Sequence, residues 1–190
     1  GRAIDFAKII CSRKNLKLYV IPTALSCNVF ATNKSILFKD NKIITILSKT
    51  PDRLYVDLNI INKAPKYLNS SGIADIISIS SALFDWEIAD KEGKDLVNKK
   101  VFKIAKELLN SFINICIKIN IVSQKNLNIL AKYLIMSGFL TILHGSGRPE
   151  SGSEHIIARI FESNKTIKNV PHGGLVSLGI IFTSQLQKQK

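Results

Sequence analysis

Apolar residues recur at helical spacing through most of residues 64–190, and this regularity limits the possible folds more than any other feature. One apolar face spans residues 101–119, and a second spans 127–142 after a possible helix cap at Ser123. A last helix is predicted over about residues 174–187. The sequence therefore predicts an all-α part that begins near residue 64.

Residues 1–63 instead alternate short helical and β-favouring runs. The predicted elements are a helix over residues 3–13 and strands over 18–21, 36–38, 43–47 and 54–56. Asp40 and Asn41 lie between the two middle strands, which indicates a hairpin. Ligands of open α/β sheets bind at the carboxyl ends of strands, so we expect a site between the α/β part and the helical part.

A chain of 190 residues with 46% hydrophobic and 22% charged residues can form a packed core. No apolar stretch approaches the ~20 residues that a membrane span needs, and the first residues lack a secretory pattern. The three cysteines are widely spaced and form no Cys-x-x-Cys motif. This cysteine usage predicts a reduced, cytoplasmic compartment.

The formal net charge of +13 raises the hypothesis of a nucleic-acid partner. However, the positive charge is nearly all lysine and is spread along the chain rather than clustered. Trp86 and the phenylalanines do not interleave with basic residues as a stacking platform would. We therefore predict no nucleic-acid partner.

Three side chains are candidate ligands for a divalent metal: Asp75, His155 and His172. One carboxylate and two imidazoles leave a coordination position open for a substrate. Each residue also has an ordinary interpretation. Asp75 could favour a helix start through the helix dipole, His172 could be a loop residue, and His155 could be a packed residue on a helix begun by the capping-box pair Ser151 and Glu154.

Arg159 lies one helical turn after His155, so both side chains project from the same helix face. A guanidinium there could bind a phosphate or carboxylate through two parallel hydrogen bonds. The alternative is an ion pair with Glu154 or Glu162 on a solvated face. The sequence leaves both interpretations open.

Taken together, these segments resemble sn-glycerol-1-phosphate dehydrogenases, within the iron-containing alcohol dehydrogenase and dehydroquinate synthase-like superfamily. Residues 1–8 resemble the end of a glycine-rich pyrophosphate loop and the helix after it, and residues 22–26, Pro-Thr-Ala-Leu-Ser, resemble a cofactor loop. Residues 72–78, 147–155 and 172–173 resemble three metal-site segments. The run Arg-Pro-Glu-Ser-Gly-Ser-Glu-His that ends at His155 is the most specific of them.

The resemblance implies that Asp75, His155 and His172 are the catalytic ligands of zinc or another divalent ion such as iron or nickel. It also implies an α/β N-terminal part, residues 1–63, that is an incomplete Rossmann-like nucleotide-binding lobe, followed by an all-α metal-binding lobe over residues 64–190. Asn28 and Arg159 are predicted to contact the substrate together with Asp75. The residues implied to contact NAD or NADP are Gly1, Arg2, Ala3, Ile4, Asp5, Thr23, Ala24, Leu25, Ser26 and Thr32.

The family interconverts dihydroxyacetone phosphate and sn-glycerol 1-phosphate. The resemblance therefore implies a metal-dependent, NAD(P)-linked oxidoreductase that acts on a small phosphorylated ketone or polyol, with a homo-oligomer among the expected assembly states. The alternatives are a glycerol or other polyol dehydrogenase of the same superfamily, and a catalytically inactive relative.

Three positions depart from the family pattern. Where the family has the aspartate of Ser-His-Asp-Gly, this chain has Asn28, so a carboxylate that contacts the substrate is lost. Arg159 stands where the family has a histidine, and Gly174 stands where it has the glutamate of His-Gly-Glu. The sequence also lacks the family's first nucleotide-binding strands before Gly1 and its helices after Lys190, which predicts a partial, C-terminally truncated chain.

Overall fold

A computed structural model describes residues 1–39, 42–163 and 170–188. All its described strands precede residue 58, and the described elements after that residue are helices. The strands are β1 (Tyr19–Val20), β2 (Lys34–Lys39), β3 (Lys42–Leu47) and β4 (Arg53–Leu54). The α-helices are α1 (Arg2–Lys14), α2 (Leu58–Asn62), α3 (Lys66–Ile77), α4 (Ile79–Lys91), α5 (Lys99–Cys116), α6 (Leu127–His144), α7 (Ser153–Ser163) and α8 (His172–Gln187). Short 3-10 helices span Asn28–Ala31 and Gln124–Asn126.

The four strands form two separate pairs. Strands β2 and β3 are antiparallel, with Lys34 opposite Leu47, and β1 runs parallel to β4, with Val20 opposite Leu54. The predicted hairpin strands are therefore present, while Asp40 and Asn41 at their turn lie outside the described residues. The described strands do not join into one sheet, so the Rossmann-like lobe remains a prediction.

One hydrophobic core extends across the predicted boundary at residue 63. Leu25 and Phe30, from the N-terminal part, belong to the same buried cluster as Trp86, Phe112 and Leu134 of the helices. Gly72 of α3 allows this contact, because a Cβ there would lie 2.1 Å from the Leu25 carbonyl oxygen. The division into domains 1–63 and 64–190 therefore remains a prediction, and packing joins the two parts.

Helix α6 corrects one expectation from the sequence. The helical segment Gln124–His144 has a mean hydropathy of 1.4 and is long and apolar enough to cross a membrane by length and composition. Its residues Leu127, Leu130, Ala131 and Leu134 are buried in the core cluster. A central helix needs an apolar surface for this packing, so its composition alone does not indicate a membrane span.

Three helix boundaries near the candidate ligands differ from the predicted ones. Asp75 lies in the last turn of α3, so the prediction of a helix start at this residue is wrong. Helix α7 begins at Ser153, two residues after the N-cap that the capping-box pattern predicted. Helix α8 begins at His172, so this residue opens a helix instead of lying in a loop.

Candidate metal centre

The three candidate ligands converge from three helices. Oδ1 of Asp75 in α3 lies 3.6 Å from Nε2 of His155 in α7 and 3.7 Å from Nε2 of His172 in α8. One ligand atom from each residue lies within 4.8 Å of the others. Asp75 and His155 are buried, and His172 is partly exposed. Residues that are up to 97 positions apart in sequence (75 to 172) thus present one oxygen and two nitrogens to a common point.

A second carboxylate fixes the orientation of each imidazole. Nδ1 of His155 lies 2.7 Å from Oε1 of Glu154, and Nδ1 of His172 lies 2.6 Å from Oε1 of Glu162. Because each carboxylate accepts a hydrogen bond at Nδ1, both Nε2 atoms are left to face Asp75. A carboxylate behind a histidine in this way sets the tautomer and ring orientation of metal-binding histidines.

Glycines of α8 allow the helices to approach closely at the site. A Cβ on Gly173 would lie 2.2 Å from the Ser71 carbonyl oxygen of α3, and a Cβ on Gly179 would lie 2.3 Å from the Glu154 carbonyl oxygen of α7. These distances are far shorter than van der Waals contact, so α8 can approach α3 and α7 this closely only with glycine there. The approach brings His172 to the ligands of the other two helices.

The first turn of α7 is held by two carboxylates. Oε1 of Glu154 accepts a hydrogen bond from the Gly152 N–H at 2.7 Å, and Oδ2 of Asp85 accepts one from the Ser153 N–H at 2.7 Å. Free N–H groups at a helix start favour such acceptors. Glu154 therefore orders the helix start and orients His155 with the same oxygen.

The charges at the centre are strongly coupled. Burial alone would lower the pKa of His155, but the hydrogen bonds and charges of Asp75 and Glu154 outweigh it and raise the pKa to about 9. Burial opposes the charge of Asp75, yet His155, His172 and the Asn28 backbone N–H hold its pKa below the usual value. The metal-free centre is thus an ion-paired cluster in which His155 carries a proton at neutral pH.

The residues present fit a divalent cation. Three carboxylates, those of Asp75, Glu154 and Glu162, surround two imidazoles, which bind a metal in their neutral form, so the set carries an excess of negative charge. Oε2 of the fully buried Glu154 also lacks a hydrogen-bond partner among the described residues. A buried excess of carboxylate charge is unfavourable unless a cation compensates for it. One carboxylate and two imidazoles suit zinc and also iron or nickel.

The centre opens onto a cleft of about 1160 Å³ between the N-terminal part and the helices. Of the predicted cofactor residues, Gly1, Arg2, Asp5 and Thr32 line it, whereas Ala3, Ile4, Thr23, Ala24, Leu25 and Ser26 do not. Leu25 packs in the core, and its N–H donates to Oδ1 of Asn69. The structure therefore brings the start of α1 to the cleft and directs Leu25 of the 22–26 loop into the core.

Asn28 connects the cleft to the ligand set. Its backbone N–H donates to Oδ2 of Asp75 at 2.9 Å, which leaves Oδ1 for the imidazoles. Its side-chain Nδ2 donates to Oγ of Ser137 at 3.0 Å and to Oε2 of Glu150 at 2.7 Å. Asn28 therefore positions a ligand with its backbone and joins a buried polar group with its side chain.

Arg159 lines the same cleft, and the alternative of an ion pair with Glu154 or Glu162 is wrong, while its contact with a substrate stays a prediction. Its guanidinium donates to Oγ1 of Thr45 in β3 at 3.2 Å, and it forms no ion pair with any described carboxylate. Glu154 and Glu162, the alternative partners, bind the two histidines. The guanidinium therefore keeps N–H donors that are not bound to any described carboxylate.

Sequence reasoning missed the residues that support the centre. Glu154 and Glu162 could have been suspected, since one is adjacent to His155 and the other lies seven residues later on the same helix. Glu150 gave no such signal, yet it is 8% exposed and lines the cleft. Burial, followed by the charge of Asp75, raises the pKa of Glu150 to about 8.

The sequence is similar to those of known proteins. Residues 1–65 match the family model described as iron-containing alcohol dehydrogenase. The chain is 32% identical to a glycerol-1-phosphate dehydrogenase [NAD(P)+] of Methanococcus aeolicus, covering 98% of this chain and 55% of the relative. It is 30% identical to one of Archaeoglobus fulgidus, covering 100% of this chain and 54% of the relative. The resemblance to this family is confirmed. The chain spans about half the length of these curated relatives.

Solved structures of the same kind share the fold. A probable glycerol dehydrogenase from Sinorhizobium meliloti superposes with a TM-score of 0.70 at 16% identity, over 93% of this chain and 52% of that one. An iron-containing alcohol dehydrogenase from Thermotoga maritima gives a TM-score of 0.65 at 14% identity, over 98% of this chain and 53% of that one. The chain therefore shares its fold with about half of each of these two proteins.

Proposed function

We propose that this protein is a metal-dependent, NAD(P)-linked oxidoreductase that interconverts dihydroxyacetone phosphate and sn-glycerol 1-phosphate. The observation that carries the proposal is the cluster of Asp75, His155 and His172 at the wall of a large cleft. The curated relatives that match nearly all of this chain are glycerol-1-phosphate dehydrogenases, which supports the choice of reaction. NAD or NADP would be the cofactor.

The residues of the chain have distinct parts in this proposal. Asp75, His155 and His172 would hold the metal ion, with Glu154 and Glu162 keeping both Nε2 atoms directed at it. The chemistry supplied by the bound groups is Lewis-acid polarisation of the ketone oxygen and hydride from the dihydronicotinamide. Gly1, Arg2 and the first N–H groups of α1 would face the cofactor phosphates, because a helix N-terminus favours anions.

Arg159 supports a phosphorylated substrate over a neutral one. Its guanidinium is in the cleft and has no described carboxylate partner, so it can bind a phosphate by two parallel hydrogen bonds. The second candidate function, a glycerol or other polyol dehydrogenase, is favoured by the structural similarity to a probable glycerol dehydrogenase. A neutral polyol would leave Arg159 without an anionic partner.

The test is reduction of dihydroxyacetone phosphate by the zinc-loaded, full-length protein, followed as oxidation of NADH or NADPH. We expect turnover of dihydroxyacetone phosphate and little turnover of dihydroxyacetone. A preference for dihydroxyacetone would favour the polyol dehydrogenase. Failure to reduce either ketone, with metal bound, would contradict both and leave the inactive relative.

A matched pair of variants tests the part of Arg159. Arg159→Met should lower kcat/KM for dihydroxyacetone phosphate by about 10- to 100-fold, because a hydrogen bond to a charged group contributes roughly 1.5–3 kcal/mol. The same variant should change kcat/KM for dihydroxyacetone by less than about threefold. Arg13→Met, at an exposed position of α1 outside the cleft, is the control. Equal losses for the two ketones would show that Arg159 does not bind the phosphate.

The remaining expectations belong to the same proposal. A cytoplasmic location is supported by the three cysteines, Cys11, Cys27 and Cys116, all of which are free. A small phosphorylated ketone or polyol is the expected partner, without nucleic acid. Assembly into homo-oligomers is supported by large apolar side chains exposed on α8, namely Leu178, Ile181, Phe182 and Leu186.

A further inference from the structure

Glu150 is an acidic residue of the cleft that the proposed function does not use. The other cleft carboxylates have partners that explain them: Asp75 faces the two imidazoles, Glu162 binds His172, Asp95 pairs with Arg148, and Asp5 accepts from the Ile36 N–H. The Glu150 carboxyl forms no ion pair with a described lysine or arginine. Its partners are neutral, namely the Asn28 amide and the Thr141 hydroxyl.

The position of Glu150 is costly for a residue with only a packing role. Its side chain is 8% exposed, and the carboxylate of Asp75 lies close enough to oppose ionisation of Glu150. A buried carboxyl without a cation lowers stability, whereas a neutral side chain of similar size would fill the same space. Buried acidic groups that form no ion pair with a lysine or arginine and line a cleft are candidates for contact with a ligand.

The polar group around Glu150 has a fixed arrangement. Ser137 Oγ donates to the Leu134 carbonyl, so it accepts from Asn28 Nδ2, and Glu150 Oε2 accepts from the same nitrogen. Both Nδ2 hydrogens are thus used, and Asn28 Oδ1 accepts no hydrogen bond from a described residue. Asn28 itself lines the cleft.

We propose that Glu150, together with the Asn28 amide that it orients, recognises the free hydroxyl group beside the reacting carbon of the substrate. Glu150 is the specificity-determining residue of this pair. A carboxyl group and an amide oxygen offer the acceptors that a hydroxyl needs, and Thr141 holds the second carboxyl oxygen in place. This inference rests on the proposed function, because it names the part of the ketone that the cleft distinguishes.

The experiment compares dihydroxyacetone phosphate with hydroxyacetone phosphate, which lacks that hydroxyl group. The measured quantity is the ratio of their kcat/KM values in the zinc-loaded, full-length protein. A site that binds a substrate hydroxyl rejects the analogue strongly, so the wild type should prefer dihydroxyacetone phosphate by about 100-fold or more. This ratio does not depend on the folded fraction of a variant.

Glu150→Met keeps the side-chain size, removes both oxygens and should reduce the preference to less than about tenfold. Glu150→Gln keeps a hydrogen-bonding group and should retain most of the preference. Thr141→Val, which removes the hydroxyl that holds Oε1, should lower the ratio by about threefold or more. The control is Glu87→Gln at an exposed position of α4, with an unchanged ratio.

The inference is overturned if the ratio of the two kcat/KM values stays within about twofold of wild type in both Glu150→Met and Thr141→Val. If Glu150→Met yields no folded protein, the ratio in Thr141→Val alone decides. If the wild type reduces neither ketone, the proposed function fails separately. In that case, calorimetry measures the affinity for sn-glycerol 1-phosphate and for propane-1,2-diol 1-phosphate, which lacks the hydroxyl group. Equal binding of the two compounds, or binding of neither, would overturn the inference.

Discussion

At the scale of single residues, the centre depends on which nitrogen of each imidazole is free. Glu154 and Glu162 occupy the two Nδ1 atoms, and Nε2 of each ring faces Asp75. Without a cation, Asp75 and Glu154 stabilise the protonated form of His155. Protons and metal ions therefore compete for one side chain.

This competition predicts the pH dependence of metal binding. The pKa of His155 is raised to about 9, so the proton that metal must displace is bound at neutral pH and lost as the pH rises through about 9. Zinc affinity should increase about tenfold per pH unit from about pH 7 to about pH 9 and then level off. Competition with a buffered chelator across this range measures it.

Glu154→Gln provides the control for this prediction. The variant removes one of the charges that raise the pKa of His155, so its affinity curve should level off at a lower pH than that of the wild type. Affinity that is independent of pH between about pH 7 and about pH 9 would show that no proton is displaced from His155.

At the scale of helices and strands, sequence periodicity predicted much of the fold. The apolar faces over 101–119 and 127–142 are α5 and α6, and the hairpin strands are β2 and β3. The first predicted strand is only two residues long, because strand length depends on a partner that local propensity does not identify. The sequence placed Asp75 at a helix start for a similar reason. Its surroundings in the fold are formed by residues that are distant in sequence.

The candidate site shows the same limit. Residue types and family resemblance identified Asp75, His155 and His172, which the structure brings together. Glu150 could not be predicted, because its partners Asn28 and Thr141 meet it only in the folded chain. The sequence also could not show that Glu154 and Glu162 bind the histidines and not Arg159, and the contact of Arg159 with a substrate stays a prediction.

Close packing of α8 gives a prediction at this scale. Gly179→Ala places a Cβ 2.3 Å from the Glu154 carbonyl oxygen, so α8 or α7 must shift. We expect the free energy of unfolding to fall by about 1–3 kcal/mol or more, and zinc affinity to fall as well, because His172 and His155 move apart. Urea denaturation and zinc titration measure the two effects.

Gly174→Ala on the same helix is the matched control. Its Cβ would lie 3.2 Å from the end of the Val170 side chain, which can move, and alanine favours a helix by up to about 1 kcal/mol. This variant should be as stable as the wild type or slightly more so. If both variants had the same effect, close approach at Gly179 would not be what positions the site.

At the scale of the whole molecule, the metal centre joins three helices that are far apart in sequence. A ligand that binds only the folded state stabilises it, by about 2.7 kcal/mol at a concentration of 100 times Kd. For a chain of this size, removal of zinc by a chelator should therefore lower Tm by about 5–10 °C. Differential scanning calorimetry with and without chelator measures the shift.

Asp75→Asn separates this effect from a direct action of the chelator. The variant keeps the side-chain shape but weakens the ligand set, so its Tm should be nearly the same with and without chelator. An equal chelator-induced shift in the wild type and in Asp75→Asn would contradict the proposed linkage between metal and fold.

The most direct test of the metal centre is the zinc content of the full-length protein, measured by native mass spectrometry after titration. We predict one zinc ion per chain in the wild type and in His144→Gln, whose ring packs on Trp86 away from the cluster. Asp75→Asn, His155→Gln and His172→Gln should each bind zinc about 100-fold more weakly or not at all. Zinc binding that is absent from the wild type, or unchanged in the three ligand variants, would contradict the account.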